Sequence, residues 1–126
     1  MSATLIFVYG TLKRGGRNHR HLAGQQFIAS ARTAPGFTLF QPADYPGLVR
    51  DPADQAGVTG EVWSVSDPCL RELDALEGVA EGLYTRVPVP LAPPHESLAA
   101  HSYLYLRSLA GCRRLGSTWT EPSSRR

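Results

Sequence analysis

Short runs of β-branched and aromatic residues, cut apart by Pro, Gly and Asp clusters, recur along this chain and restrict its fold more than any other feature. They fall at residues 4–9, 26–33, 37–41, 57–65, 84–89 and 101–106, and runs so short and so bounded read as strands. One segment breaks the pattern. Over residues 67–78, Asp67 can cap a helix, Pro68 suits its first turn and Gly78 can close its C-terminus, while Leu70, Leu73 and Leu76 supply an apolar side. Residues 17–23 read as one further short helix. Many strands with so little helix between them predict an α+β fold: a small mixed or antiparallel sheet curled toward a β-barrel and flanked by short helices, rather than repeated βαβ units.

A chain of 126 residues has room for one modest core and hence for one site. Its net charge of +2 offers no strong field to steer a polyanion, so no nucleic-acid partner is expected. The N-terminal residues lack the basic start of a signal peptide and the long apolar stretch of a membrane span, which predicts a cytoplasmic location without membrane contact. Cys69 and Cys112 lie outside any CxxC pair and are expected as two buried thiols, neither a disulfide nor a metal site. From Gly111 onward the chain turns polar and basic, so the domain is placed at residues 1–112 and a polar surface tail at 113–126.

The chemistry concentrates in two places. After the first strand, residues 10–16 carry three glycines and two basic residues, which predicts a loop with unusual backbone angles or close backbone approach to a ligand. It is not a phosphate-binding loop, because Gly16-Arg17 stand where that motif needs Lys followed by Ser or Thr. His19 and His21 are two apart with no third ligand nearby, and no metal is expected there.

The second place is Glu77. At about 100° per residue it falls within about 40° of both Leu70 and Leu73, so the apolar side of the helix also carries a carboxylate. Burial and the negative end of the helix dipole both push such a group toward neutrality, which suits it to accept and return a proton near pH 7. Spacing alone leaves open the alternative that Glu77 rotates into water at a fraying helix end. Asp74 lies close enough to the same side to make a structural hydrogen bond, and Arg86 reads as an ion-pair partner at the surface.

The run Phe7-Val8-Tyr9-Gly10-Thr11-Leu12-Lys13-Arg14-Gly15 resembles the N-terminal signature of the γ-glutamylcyclotransferase-like family, which includes the γ-glutamylamine cyclotransferases and AIG2-like proteins. The similarity continues through Tyr45-Pro46-Gly47, residues 58–65, Leu73-Asp74-Ala75-Leu76-Glu77-Gly78, Tyr84-Thr85-Arg86 and Tyr103-x-Tyr105. It implies a barrel with a cavity at one end, a Tyr9-Gly10-Thr11-Leu12 loop that holds a glutamyl moiety through backbone groups, and Glu77 as acid/base. Tyr84 and Tyr103 are further candidates for substrate contact, and Tyr9 reads equally as core or as site lining. The activity implied is cyclisation of a small γ-glutamyl substrate to 5-oxoproline with release of an amine and no cofactor. A non-catalytic module binding such ligands on the same fold is the alternative. Where many relatives carry Gly-Asp-Trp, this chain has Gly116-Ser117-Thr118-Trp119, so that end of the site does not carry over. The released amine stays open among amino acids, lysine side chains, polyamines and secondary metabolites.

Overall fold

The computed structural model of the chain describes residues 3–121. It contains eight strands: β1 (Ala3–Val8), β2 (Gln26–Arg32), β3 (Phe37–Gln41), β4 (Gly47–Arg50), β5 (Thr59–Ser66), β6 (Tyr84–Val89), β7 (Ala100–Tyr105) and β8 (Arg113–Gly116). Of these, β4 and β8 are not among the expected runs. One α-helix, α1 (Asp67–Leu76), follows β5, and a 3-10 turn at His19–Leu22 takes the place of the second expected helix. The fold is α+β, as the pattern of runs predicts.

The strands join in one sheet ordered β2-β5-β1-β7-β4-β3-β8, with β6 on the other side of β7. The β1–β7 and β4–β7 pairs are parallel and the rest antiparallel. The sheet curls but does not close, so the expected barrel is only approximate. Just past β8 the chain reaches round to β5, where the Thr59 N–H donates to the Ser117 carbonyl at 2.8 Å. A ladder cannot follow, because β5 already has β1 on one edge and β2 on the other.

The segment expected as a polar tail departs from that reading. Residues 113–116 pair with β3, and Trp119 is buried in the core. β8 is an edge strand with one neighbour, and its arginines suit that exposed position. Residues 122–126 of the expected tail lie outside the described residues.

The latter part of β1, Leu5-Ile6-Phe7-Val8, is a continuous apolar run because both faces are covered there. Phe7 and Tyr9 pack with Phe37, Leu39, Leu48 and Val62, while Ile6 and Val8 pack with Trp63, Val65 and Leu73 beneath α1. Cys69 is buried on the inner side of α1, whereas Cys112 is only half-buried in the turn before β8. The expectation of two buried thiols therefore holds for the first alone. Among the described residues, no helix is long and apolar enough to cross a membrane.

One irregularity positions everything that follows. Strand β7 gives one edge wholly to β6, and its other edge is divided between β1, at Ala100 and His101, and β4, at Leu104. Between those pairings β1 and β4 part. Side chains fill the gap in the ladder: the Tyr9 hydroxyl donates to the Tyr103 carbonyl at 2.7 Å and accepts from the Leu48 N–H at 3.3 Å, and Ser102 Oγ donates to the Phe7 carbonyl at 2.7 Å.

Candidate active site

A cavity of about 110 Å³ opens beside the parting of β1 and β4. Three stretches of chain build most of its wall, and Leu83, Tyr84 and Tyr103 complete it. The first is the loop leaving β1, which folds back on itself: the carbonyls of Gly10, Thr11 and Leu12 accept from Lys13 N–H (3.2 Å), Asn18 N–H (2.9 Å) and His19 Nδ1 (2.9 Å). With the carbonyls engaged, the amides are left over. Among the described residues, the N–H groups of Gly10, Thr11 and Leu12 donate to no protein acceptor. Three consecutive unpaired amides on a pinned loop are ready donors for an anionic or carbonyl oxygen.

Close packing fixes that loop. A Cβ on Gly10 would lie 2.6 Å from Pro46 Cγ, so only glycine lets the loop approach the Tyr45-Pro46-Gly47 turn that forms the facing wall. The turn is held in its own right, for the Tyr84 hydroxyl donates to the Pro46 carbonyl at 2.6 Å.

The third stretch is the end of α1. The helix starts one residue earlier than expected: Ser66, not Asp67, is the cap, its hydroxyl accepting from the Cys69 N–H at 3.3 Å. It ends as the sequence predicts. Gly78, at φ +67°, donates to Ala75, and Val79 donates to Asp74, the paired closing bonds that a left-handed glycine permits. Glu77 is thus the C-cap residue, and its side chain lines the cavity instead of turning into water. Leu73 is buried and Leu70 half-buried, whereas Leu76, expected on the apolar side, is 38% exposed at the rim.

Glu77 stands alone electrostatically. Burial lifts its carboxyl from the usual 4.5 to about 7, with no hydrogen bond or cation to offset it. Around it are buried phenols. Tyr9, Tyr84 and Tyr103 are all pushed above the usual tyrosine range, first by burial and then by neighbouring groups that include the Glu77 charge. They remain neutral hydrogen donors. Tyr103 is also anchored from behind, its hydroxyl donating to Asp74 Oδ1 at 2.7 Å, while Arg86 spans the same carboxylate at 2.9 and 3.2 Å. Asp74 thus makes the structural bonds its place on the helix predicts, and Arg86 is its ion-pair partner.

All the residues singled out in the sequence, namely Tyr9, Gly10, Thr11, Leu12, Glu77, Tyr84 and Tyr103, meet at this one cavity. Tyr9 is both things it could be, a core aromatic and a lining residue. Sequence reasoning missed Arg17, Asn18, Tyr45, Pro46 and Leu83, which also line it. The Tyr-Pro-Gly turn carried a usable signal. Arg17 and Asn18 carried none, since they read as part of a weak polar helix. Among the described residues, no three His, Cys, Asp or Glu side chains gather to hold a metal ion.

Comparison with known proteins agrees in one direction. Residues 6–121 match the family described as "Gamma-glutamyl cyclotransferase, AIG2-like". The human protein named gamma-glutamylaminecyclotransferase is 39% identical over 89 residues, covering 65% of this chain and 58% of that one. The gamma-L-glutamyl-butirosin B gamma-glutamyl cyclotransferase of Niallia circulans is 27% identical over 107 residues, covering 81% and 67%. Several other curated relatives are matched over only 52% to 63% of their length. The crystal structure of an AIG2-like protein from Mus musculus superposes with a TM-score of 0.78 at 26% identity, over the whole of both chains.

Proposed function

The chain belongs to the gamma-glutamyl cyclotransferase, AIG2-like family, and on that premise we propose that it cyclises a γ-glutamyl group to 5-oxoproline and releases an amine, with Glu77 as the acid/base. One observation carries this reading: a carboxylate with no partner, lifted to about 7, on the wall of a cavity lined by unpaired backbone amides. A structural glutamate would have found a cation or donors. This one is kept free to exchange a proton.

The substrate carries its own nucleophile, the α-nitrogen, so the reaction calls for no cofactor and no second substrate. Holding the glutamyl chain curled with that nitrogen against its γ-carbonyl supplies much of the rate, about 7 to 11 kcal/mol in well-oriented intramolecular cases. Glu77 takes a proton from the attacking nitrogen as its bond to the γ-carbon forms. It returns a proton to the departing nitrogen as the old C–N bond breaks, leaving the lactam, the free amine and an unchanged carboxylate. A group titrating near 7 serves both steps, typically for about 10² to 10⁴ in rate. Charge that builds on the carbonyl oxygen is met by the amides of Gly10, Thr11 and Leu12, each worth up to about 10² to 10³. Tyr9, Tyr84 and Tyr103 bound the space in which the chain curls.

The test is to incubate the protein with γ-glutamyl amines, γ-glutamyl amino acids and glutathione and to detect 5-oxoproline by mass spectrometry. Wild type is expected to release it, and Glu77→Gln, which keeps the shape but loses the base, to be slower by about 10² or more. Equal release by both proteins would remove Glu77 from the mechanism. Binding without turnover across the whole panel would make the chain a ligand-binding module.

A further inference from the structure

Lys13 and Arg14 directly follow the three unpaired amides, and their side chains leave the loop for different parts of the fold. The Arg14 guanidinium reaches Glu61 on β5 at 3.1 Å. Lys13 Nζ donates to the backbone carbonyl of Trp119 at 2.8 Å, across 106 positions of sequence. We propose that Lys13 is a positioning residue for the cyclisation: from outside the cavity it fastens the turn at residues 10–13 to the C-terminal segment 117–121, and so holds the amides of that turn where they meet the reacting carbonyl. This rests on the reading of the cavity given above.

Both ends of this bond are fixed. The Lys13 N–H donates to the Gly10 carbonyl at 3.2 Å, and the Lys13 carbonyl accepts from the Gly16 N–H at 2.7 Å. Lys13 therefore closes one turn and opens the next, with Thr11 and Leu12 as the central residues of the first, and a shift of Lys13 carries their amides with it. At the other end, Trp119 is buried in the core cluster that holds Phe7 and Tyr9, and its indole N–H donates to Glu121 at 3.1 Å. The two residues before it are tied to β5: the Ser117 carbonyl accepts from the Thr59 N–H at 2.8 Å, and the Thr118 and Thr59 hydroxyls are hydrogen-bonded at 2.9 Å. The core, not the loop, thus sets where the acceptor carbonyl stands. A lysine ordinarily keeps its flexible stem and strongly hydrated ammonium in water. Lys13 gives up part of both, for it is half-buried, and burial lowers its pKa against the opposing pull of the Glu61 and Glu121 charges. Among the described residues, none of 113–121 lines the cavity, so the segment acts on the site through the carbonyl that Lys13 grips.

The experiment measures kcat and KM for 5-oxoproline formation, with urea unfolding alongside, in Lys13→Met, which keeps the apolar stem and loses the donor, and in Lys13→Arg, which keeps a donor. Lys13→Met is expected to lower kcat about three- to tenfold, a fraction of the about 10² to 10³ for losing one such donor outright, with KM changed by about twofold or less. The acid limb of kcat/KM should stay near 7, because Glu77 is untouched. Lys13→Arg should recover most of the lost kcat. Combined with Gly10→Ala, Lys13→Met should cost less than the product of the two separate losses, since both act on the same amides. A side chain that only stabilises the fold would lower the urea midpoint and leave kcat of the folded protein unchanged. That result, equal losses in Lys13→Met and Lys13→Arg, or losses that multiply in the double variant would each overturn the inference and leave the cyclisation reading standing. Absence of 5-oxoproline from the whole γ-glutamyl panel with wild type would overturn both.

Discussion

Glu61 and Glu77 both border the loop leaving β1, the first bonded to it at Arg14 and the second lining the cavity shared with Gly10, Thr11 and Leu12, yet the protein treats them in opposite ways. Burial alone would raise the pKa of Glu61. The Trp63 indole N–H at 3.0 Å, the Arg14 amide at 3.1 Å and the Arg14 guanidinium at 3.1 Å more than offset it, and the carboxyl ends below its usual range. Glu77 receives none of these and is carried up to about 7. Residue type is the same in both places. The number of donors turned toward each carboxylate separates a strut that pins the loop from a buried carboxyl left without a partner.

Removing the strut gives the largest expected effect on stability. Glu61→Ala leaves the buried Trp63 N–H without an acceptor and frees Arg14, which should cost about 2 to 4 kcal/mol in urea unfolding. Because the folded pKa of Glu61 is depressed, its contribution is complete above the unfolded value and fades as pH falls through the folded one, so the wild type should weaken in acid while the variant changes less. Glu61→Ala as stable as wild type at pH 7 would break the contrast between the two glutamates.

Glu77 should show the opposite dependence. Its folded pKa is raised, so the native state binds the proton more tightly than the unfolded chain, and stability is lost as pH rises from 4.5 to about 7. That interval corresponds to at most about 3 kcal/mol. Glu77→Gln should therefore match wild type below pH 4.5 and exceed it above pH 7, and the same ionisation should give wild-type kcat/KM an acid limb with a midpoint near 7. A midpoint near 4.5 would mean that the group is solvated.

Much of this contrast is legible in the sequence. Glu77 could be found because helix period sets it among leucines, and Gly10 because glycines cluster after a strand. Glu61 could not, since its partners Trp63 and Arg14 are brought to it by strand alternation and by a loop closing over 47 positions. Strands β4 and β8 escaped for a related reason: each has four residues, and β8 reads Arg-Arg-Leu-Gly, with no hydrophobic period to detect. Trp119 looked like part of a polar tail because only tertiary packing buries it. Local chemistry announces itself in sequence, whereas the pairing that finishes a core does not.

Between the partnered and the unpartnered glutamate lies the question of how firmly the loop must be held. Gly10→Ala drives a Cβ against Pro46 Cγ at 2.6 Å and Cδ at 3.0 Å, so either the turn or the loop must move. The expected cost is about 1 to 2 kcal/mol in stability, within the range for overpacking. The amides should be displaced with the loop, so 5-oxoproline formation should fall about tenfold or more while Glu77 still titrates near 7. Full activity in this variant would free the loop amides from any role at the reacting carbonyl.

Asp74 sharpens the comparison most finely, because it is a third carboxylate, on the same helix as Glu77, and it is partnered like Glu61. It receives Arg86 twice and the Tyr103 hydroxyl once, at a surface where its side chain and that of Arg86 are each less than a third exposed. Such a partly solvated pair contributes modestly, and Asp74→Asn, which keeps an acceptor for Tyr103 and loses the charge facing Arg86, should cost about 1 kcal/mol or less. The informative readout is kinetic. If Asp74 acts only by holding Tyr103 against the cavity, KM should rise about two- to fivefold with kcat nearly unchanged, and Tyr103→Phe, which cuts the same bond from the other side, should do likewise without adding to it in the double variant. A fall in kcat to the level of Glu77→Gln would instead mean that the helix end shifts when Asp74 is altered, and that the freedom of Glu77 depends on its partnered neighbour.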